Sequence, residues 1–497
     1  MNIIFENKKY GYEDYQKFVE KLTSEYVDPK SIAVVLKRTP QLLFLLYYFK
    51  NGLTYIPIDY FYPNERIQYI LEDSKPVSII LDSTKNLSYN PKHKNDSSGI
   101  AFNDTISYIL YTSGSTGTPK GVMITLEGLN NFIDGISEII DFSKGKRMAC
   151  FTTFSFDIFF LESIMALQKG LTVVLANEDE QRNPKLMAKL IQNNAVDMIQ
   201  MTPSRMQLLL NHDKELSCLQ NVKEIMIGGE SFPLSLLKTL QEKTSAKIYN
   251  MYEPTETTIW SAVSDLTVKK RIDIGHPIKN TEIYIVDENL YILPSGQAGE
   301  ICISGKGLAK GYVGRDNLTS EKFLCLPQKP DIKVYRTGDM GRYLPDGDLE
   351  YLGRTDNQVK IRGHRIELEE IENHINQYNG IKQSVVVALE ISETDKILNA
   401  FFTSENEVDS KDIKDYLSLK LPDYMIPVRF KRVEEFIQTV NGKIDRKRVL
   451  ECIEIKSNEV ASDTSIYDEL PVVQKRAFDI IISNFKEKKK WKRCRWI

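Results

Sequence analysis

Residues 107 to 122 read SYILYTSGSTGTPKGV, an apolar run followed by a stretch of Ser, Thr and Gly with one Lys. The part SYILYT alternates like a short buried strand, so the loop after it lies at the carboxyl end of a strand, where open α/β sheets bind ligands. Small hydroxyl side chains and glycines let a backbone close around phosphate oxygens, and Lys120 adds a positive charge. The stretch therefore predicts an α/β fold that holds the phosphates of a nucleotide.

A flexible linker is the alternative interpretation of this run, because linkers are also rich in Ser and Gly. The run has neither the spacing of a Walker loop nor that of the Gly-rich loop of dinucleotide sites. The choice between a linker and a phosphate loop therefore depends on the rest of the chain.

Composition limits the class of protein. The chain has 497 residues, 42% hydrophobic and 27% charged, which is enough for large cores in two or more domains. Its formal net charge of -3 gives no sign of a nucleic-acid or membrane surface. The longest apolar runs, such as LLFLLYYF at residues 42–49, are too short to span a bilayer, and the N-terminus has no signal pattern. We expect a cytoplasmic enzyme.

The pattern of the chain changes along its length. The first half alternates strand-like apolar runs, such as SIAVVL from residue 31, with helix-length amphipathic segments, which predicts parallel βα units. From residue 271 to 351, short strands are separated by Gly, Pro and Asp turns, which indicates antiparallel β structure. The predicted fold is α/β, with a large multi-subdomain N-terminal domain of parallel βα layers plus a β-barrel-like subdomain, and a small α+β C-terminal domain.

Seven segments, taken in order, carry a family resemblance. They are NGLTYIPID (51–59), YTSGSTGTPKGV (111–122), FSFDIFF (154–160), NMYEPTE (250–256), YRTGD (335–339), GRTDNQVKIRGHRIELEEIE (353–372) and NGKIDR (441–446). The chain resembles the adenylate-forming superfamily, which includes adenylation domains of non-ribosomal peptide synthetases, D-alanine–carrier ligases, acyl-CoA synthetases and luciferases. This resemblance favours the phosphate loop over the linker.

The resemblance also implies a domain organisation. Residues 1–355 match the N-terminal adenylation (AMP-binding) domain, and residues 356–450 match a mobile C-terminal domain that rotates about a hinge at Asp356. Residues 451–497 end in the basic run KEKKKWKRCRWI and lack the motif that accepts phosphopantetheine. They form either a solvated or disordered tail or the truncated start of a carrier domain.

The implied reaction joins a carboxylate to the α-phosphate of ATP and releases pyrophosphate, which requires cations and a phosphate cradle. Glu256 matches the Mg²⁺ ligand, and Lys443 matches the mobile catalytic lysine that bridges the substrate carboxylate and the α-phosphate. Glu253 stands where many relatives have glycine, and its charge would repel phosphates unless it points away. The positions that match ATP contacts are Thr112, Ser113, Gly114, Ser115, Thr116, Gly117, Lys120, Gly229, Asn250, Tyr252, Thr255, Asp339 and Arg354.

The substrate is indicated by Asp157, which matches the aspartate that pairs with the α-ammonium in amino-acid-activating members. An Asp in the aromatic run FSFDIFF would be costly to bury without a cation. The other positions that match the side-chain pocket are Ile158, Leu161, Gln200, Met226, Gly228, Met251, Ile259 and Trp260. This set resembles glycine-activating domains, with alanine as the nearest competitor because one methyl group is worth only ~1–3 kcal/mol.

The leading hypothesis is an enzyme that makes glycyl-AMP from glycine and ATP with Mg²⁺ and then loads the phosphopantetheine thiol of a separate carrier protein. Neither a nucleic acid nor a membrane is expected as a partner. A D-alanine–carrier ligase and an inactive remnant of a peptide synthetase remain as alternatives.

Overall fold

The computed structural model describes residues 1–25, 31–50, 52–85, 106–114, 117–437, 444, 446 and 448–449. Ser115, Thr116, Lys443 and the tail from residue 451 lie outside the described residues. The chain divides into a large compact unit, Met1–Glu367, and a small unit that begins at Leu368.

The strands of the large unit are β1 (Asn2–Phe5), β2 (Lys8–Tyr10), β3 (Ser31–Val35), β4 (Thr54–Pro57), β5 (Ser78–Leu81), β6 (Ile106–Thr112), β7 (Lys120–Thr125), β8 (Arg147–Cys150), β9 (Thr172–Leu175), β10 (Met198–Met201), β11 (Glu224–Gly228), β12 (Lys247–Tyr252), β13 (Ala262–Asp265), β14 (His276–Pro277), β15 (Thr281–Val286), β16 (Gly299–Gly305), β17 (Phe323–Leu326), β18 (Lys329–Tyr343), β19 (Leu349–Arg354), β20 (Val359–Ile361) and β21 (His364–Ile366).

The α-helices of this unit are α1 (Tyr12–Glu25), α2 (Pro40–Phe49), α3 (Asn64–Ser74), α4 (Leu126–Ile139), α5 (Ile158–Phe160), α6 (Ala166–Gln168), α7 (Glu178–Arg182), α8 (Pro184–Asn193), α9 (Pro203–His212), α10 (Leu234–Lys243) and α11 (Asp316–Lys322). A π-helix, Leu161–Met165, joins α5 to α6, and short 3-10 helices lie at Ser217–Leu219 and Thr255–Thr257.

Two sheets form the βα layers that the sequence predicts. The nine-stranded sheet has the order β14-β13-β12-β11-β10-β8-β9-β1-β2, and its strands from β12 to β1 run parallel. The five-stranded sheet has the order β5-β3-β4-β6-β7, in which β6 and β7 pair antiparallel. The predicted phosphate loop therefore joins the two strands of a hairpin and does not lead from a strand into a helix.

The antiparallel region predicted at residues 271 to 351 is also present. Strands β15, β16, β18 and β17 form a sheet in that order, and β19 pairs with β18. The hairpin β20–β21 follows as a separate two-stranded sheet. Together with the parallel layers, these sheets confirm the predicted α/β fold class.

One large apolar core occupies the face of the nine-stranded sheet that carries the site. It combines residues from β8 to β12 with the segment FSFDIFF and its following helical turns, including Phe159, Met226 and Trp260. Because strand side chains alternate between faces, the intervening residues such as Ile199 and Ile225 belong to a second core on the opposite face. The pocket residues are therefore held by a continuous layer of packed side chains.

The small unit contains α12 (Leu368–Asn376), β22 (Ile381–Ser392), β23 (Asp395–Ser404), α13 (Ser410–Ser418) and β24 (Arg429–Arg432). Strand β23 pairs antiparallel with β22 and parallel with β24. Arg446, three residues after Lys443, makes a bidentate contact with Glu372 at 2.6 and 2.9 Å. This contact attaches Arg446 to helix α12.

The large compact unit extends to Glu367, and the domain boundary expected at residue 355 stays a prediction. The hairpin β20–β21 belongs to the large unit because it bonds to it at several points. The backbone N–H of Gly363 donates to Glu230 at 2.8 Å, and the carbonyl of Arg365 accepts from Ser113 at 2.8 Å. Asp356, the predicted hinge, therefore lies inside the large unit and pairs with Arg354 at 2.7 Å.

No helix among the described residues is both long enough and apolar enough to cross a bilayer.

Candidate active site

The phosphate loop begins where β6 ends. Thr112 closes the strand, and the hydroxyl of Ser113 donates to the carbonyl of Arg365 and accepts from the backbone N–H of Glu367 at 3.2 Å. Gly117 has φ +86, a left-handed conformation that favours glycine, and its N–H donates to the carbonyl of Gly114 at 3.0 Å. Ser113, Gly114 and Gly117 are thus each held by a hydrogen bond to another described residue.

Glu256 lies at the centre of a buried ionic cluster. Its side chain is 0% exposed. Tyr312 donates to Oε1 at 2.8 Å, Lys120 approaches the same oxygen at 3.5 Å, and Arg365 donates to Oε2 at 2.8 Å. Lys120 also lies 4.7 Å from the centre of the Tyr312 ring, within range of a cation–π contact. The cluster joins the end of the phosphate loop, the PTE motif and the RGHRIE motif.

Charge balance controls the ionisation of this cluster. Burial alone would raise the pKa of Glu256, but Arg365 and Lys120 together lower that pKa far below its usual value. Burial lowers the pKa of Lys120, although the charge of Glu256 opposes this. Glu256 is therefore an ionised carboxylate at neutral pH.

A magnesium ion does not fit this arrangement. A carboxylate is a suitable Mg²⁺ ligand, but both oxygens of Glu256 already have partners, and two of these partners are cations that would repel a third. Within the described ranges, no group of three or more His, Cys, Asp and Glu side chains is placed to hold a metal ion.

The predicted nucleoside contacts form a second group. The hydroxyl of Tyr252 donates to Asp339 Oδ2 at 2.6 Å, and Arg354 donates to Asp339 Oδ1 at 2.5 Å. The side-chain amide of Asn250 donates to the carbonyl of Asp273 at 2.8 Å. Tyr252 and Arg354 thus both bind the carboxylate of Asp339.

Glu253 occupies the position at which the sequence predicts repulsion. Its carboxylate lies 3.5 Å from the ammonium of Lys360, so the charge is balanced by a residue of β20. Gly229, on the neighbouring strand end, has φ +84, and a Cβ there would lie 3.8 Å from the Glu253 carboxylate. The glycine at this point of the site is therefore Gly229, which lies next to the Glu253 side chain, and not position 253 itself.

The amino-acid side of the site differs from the nucleotide side. Asp157 is only 4% exposed; Oδ1 accepts from the backbone N–H of Ile158 at 2.9 Å, whereas Oδ2 is buried without a hydrogen-bond partner. Burial, reinforced by the charge of Glu253, raises the pKa of Asp157 to about 8. Thr255 and the charge of Lys360 oppose this rise, but a buried oxygen without a hydrogen-bond partner is costly unless a ligand supplies one.

The predicted pocket wall is fully packed. A Cβ on Gly228 would lie 2.5 Å from the Trp260 ring, so the ring rests directly on the glycine backbone. The remaining wall residues are each at most 4% exposed; they are Ile158, Leu161, Gln200, Met226, Met251, Ile259 and Trp260. Of their polar atoms, Trp260 Nε1 and Gln200 Nε2 are buried without partners.

Some site residues were not predicted from the sequence. Arg365 lies in the segment RGHRIE, and its partner Glu256 is 109 positions away. The neighbouring His364 packs edge-on against Phe156, with 4.9 Å between the ring centres, and burial lowers its pKa to about 3. Tyr312 belongs to no quoted motif, so no signal in the sequence indicated it.

Comparison with known proteins agrees with this geometry. Residues 3–313 match the AMP-binding enzyme family, and residues 370–443 match its C-terminal domain. A dimodular nonribosomal peptide synthase of Bacillus subtilis (strain 168) is 36% identical over 463 residues, which are 88% of this chain and 19% of that protein. The chain spans less than half the length of the curated relatives it matches.

Solved structures give the same result. A holo four-domain nonribosomal peptide synthetase bound to AMP and glycine is 32% identical with a TM-score of 0.64, over 90% of this chain and 34% of that one. A holo protein with adenylation and PCP domains, bound to a vinylsulfonamide inhibitor, is 25% identical with a TM-score of 0.77, over 90% of this chain and 81% of that one. The chain therefore belongs to the AMP-binding enzyme family and is an adenylate-forming ligase.

Proposed function

We propose that this chain activates an amino acid, with glycine as the favoured substrate, by forming aminoacyl-AMP from ATP and releasing pyrophosphate. The observation that carries the proposal is Asp157, a buried carboxylate with one unpartnered oxygen beside an apolar, fully packed wall. An α-ammonium group satisfies that oxygen with a charge-assisted hydrogen bond. A carboxylic acid without an ammonium would leave it unpaired.

The choice of glycine rests on space. Trp260 covers Gly228, and the wall around Asp157 has almost no exposed surface. A larger substrate side chain would have to displace packed residues, which costs typically ~1–3 kcal/mol in well-packed interiors. The relative bound to AMP and glycine supports this choice, and D-alanine is the second candidate because it adds a single methyl group.

ATP is the proposed cosubstrate, with Mg²⁺ as its counter-ion. The proposed ATP contacts are those of the phosphate loop, of Asn250, Tyr252, Asp339 and Arg354, and of Gly229 and Thr255. Lys443 and the hinge at Asp356 remain predictions from the motifs.

The proposed acceptor is the phosphopantetheine thiol of a carrier protein. A solved relative contains a PCP domain beside its adenylation domain, which supports this partner class. The acceptor motif is missing from the sequence, which favours a carrier outside residues 1–497.

The test is amino-acid-dependent exchange of pyrophosphate into ATP with the twenty amino acids and D-alanine. We expect a peak at glycine that is lost in Asp157→Asn and in Lys443→Ala. A peak at D-alanine would move the enzyme to the D-alanine–carrier class, and no exchange with any substrate would support an inactive remnant.

A further inference from the structure

Beside the amino-acid pocket lies a buried acid that no part of the proposed reaction uses. Glu162 belongs to the π-helix that follows Asp157 and is 0% exposed. Its Oε2 accepts from the backbone N–H groups of Phe151 and Thr152, both at 2.8 Å, and its Oε1 accepts from the Thr152 hydroxyl at 2.6 Å. Glu162 therefore attaches the helical segment that carries Asp157 to the end of strand β8.

The π-helix has a direct consequence for this contact. π-helical turns are rare and occur frequently at functional sites. Here the segment changes from α5 to the π-helix at Leu161, one residue before Glu162. The wider turn and the Glu162 anchor together fix the position of the chain that leaves Asp157.

The hydroxyl of Thr152 decides the orientation of a neighbouring side chain. It lies 2.6 Å from Glu162 Oε1 and 3.4 Å from one amide atom of Gln200. A hydroxyl has a single hydrogen to donate. The nearer, charged acceptor takes that hydrogen, and an ionised Glu162 has none to give back. Burial raises the pKa of Glu162, whereas its hydrogen bonds with Thr152 and the charges of Arg38 and Arg205 oppose this rise. The two backbone N–H groups of Phe151 and Thr152 can only donate to Glu162, which therefore acts as an acceptor toward both.

The amide atom of Gln200 that faces Thr152 must then be the donor. The oxygen and nitrogen of an amide are assigned from their hydrogen-bond network, so Nε2 of Gln200 lies toward Thr152 and Oε1 is the buried atom without a partner. Gln200 pairs with Met226 across β10 and β11, on the sheet face of the core that contains Trp260. The unpartnered atom on the pocket side is therefore an acceptor.

We propose that Thr152 and Glu162 are positioning residues that hold the carbonyl oxygen of Gln200 toward the amino-acid pocket, where it accepts a hydrogen bond from the substrate ammonium. This inference rests on the proposed amino-acid activation and adds a second acceptor to Asp157. An ammonium has three hydrogens to donate, so one carboxylate oxygen leaves it incompletely satisfied. The same orientation discriminates against acids that lack the ammonium.

The test compares two ligands on the full chain by titration calorimetry. One is a non-hydrolysable glycyl adenylate with a sulfamate in place of the phosphate, and the other is the matching acetyl compound without the ammonium. The variants are Thr152→Val, which keeps the shape but removes the hydroxyl, and Thr152→Ser, which keeps the hydroxyl. The measured quantity is the ratio of the two dissociation constants.

We expect Thr152→Val to reduce the preference for the glycyl ligand by about three- to tenfold, the size of one net hydrogen bond. Thr152→Ser should keep the preference of the wild type. Gln200→Met, which removes the amide, should show the same reduced preference for the glycyl ligand. This variant replaces Thr152→Val in the test if Thr152→Val does not fold.

An unchanged preference in Thr152→Val and Gln200→Met, or an equal weakening of both ligands, would overturn the inference. Equal weakening would mean that the substitutions disturb contacts that the glycyl and acetyl ligands share. A wild type with no preference for the ammonium would instead refute the proposed function itself.

Discussion

The two halves of the active site handle buried charge in opposite ways. On the nucleotide side, Glu256 has Lys120, Arg365 and Tyr312 as partners, and Asp339 has Arg354 and Tyr252. On the amino-acid side, Asp157 Oδ2 and one amide atom of Gln200 are buried without partners. The carboxylates of the nucleotide side therefore have partners in the free protein, whereas the amino-acid side contains buried polar atoms that have none.

The two halves of the site therefore affect the stability of the free protein in different ways. Paired buried charges are costly to break, because removing one partner leaves the other charge without compensation. Unpaired buried polar groups cost stability in the free protein and recover it when a ligand binds. Substitutions in the two halves should therefore change stability in opposite directions.

The largest effect is expected for Glu256→Gln. This variant keeps the volume but leaves Lys120 and Arg365 without their counter-charge, so the free energy of unfolding should fall by about 3–5 kcal/mol. Urea unfolding followed by circular dichroism measures the change. Glu300→Gln, at a partly exposed pair with Arg336, is a matched control that should cost less than about 1 kcal/mol. A loss at Glu256 no larger than at Glu300 would contradict the comparison.

Asp157→Asn should act in the opposite direction. The asparagine keeps the Oδ1 contact to Ile158 but removes the buried charge, so the free energy of unfolding should rise by about 1–3 kcal/mol near pH 8. Because the folded pKa of about 8 exceeds the unfolded value, wild-type stability falls as pH rises from about 4 to 8. The gain should therefore vanish near pH 4. A destabilised variant at pH 8 would show that Asp157 already has a partner in the free protein.

Sequence alone predicts much of this molecule. Apolar runs such as SIAVVL and EIMIGG become β3 and β11, because buried parallel strands require continuous apolar stretches. The isolation of Asp157 is also predictable, since it is an acid within an aromatic run. The pairing of Glu256 with Arg365 is not, because it joins positions 109 apart through the docking of a hairpin. The same holds for Glu162, whose role depends on a π-turn that no residue pattern marks.

A smaller effect is expected for Trp260→Leu, which tests the space argument. Removing the ring from the Gly228 backbone opens room beside the substrate, so the ratio of alanine to glycine activation should rise by about ten- to a hundredfold. Pyrophosphate exchange with both amino acids gives the ratio. Leu208→Ala, at an exposed apolar residue on α9, should leave it unchanged. An unchanged ratio of alanine to glycine activation in Trp260→Leu would show that Trp260 does not determine the size of the substrate side chain.

The last effect concerns pH. An ammonium binds the ionised form of Asp157, so the KM for glycine should fall as pH rises from 6 toward about 8, by up to about tenfold per pH unit. The KM for ATP should not follow this profile. A glycine KM that is flat below pH 8 would mean that Asp157 is already ionised in the free enzyme.

The most direct measurement of the central claim is proton release on ligand binding. The glycyl sulfamate analogue is titrated into the enzyme at pH 7 in buffers of different ionisation enthalpy. Because Asp157 is protonated in the free protein and ionised beside an ammonium, binding should release close to one proton. Asp157→Asn should release none. Binding by the wild type without proton release would contradict the claim that Asp157 is buried without a partner until the substrate ammonium binds.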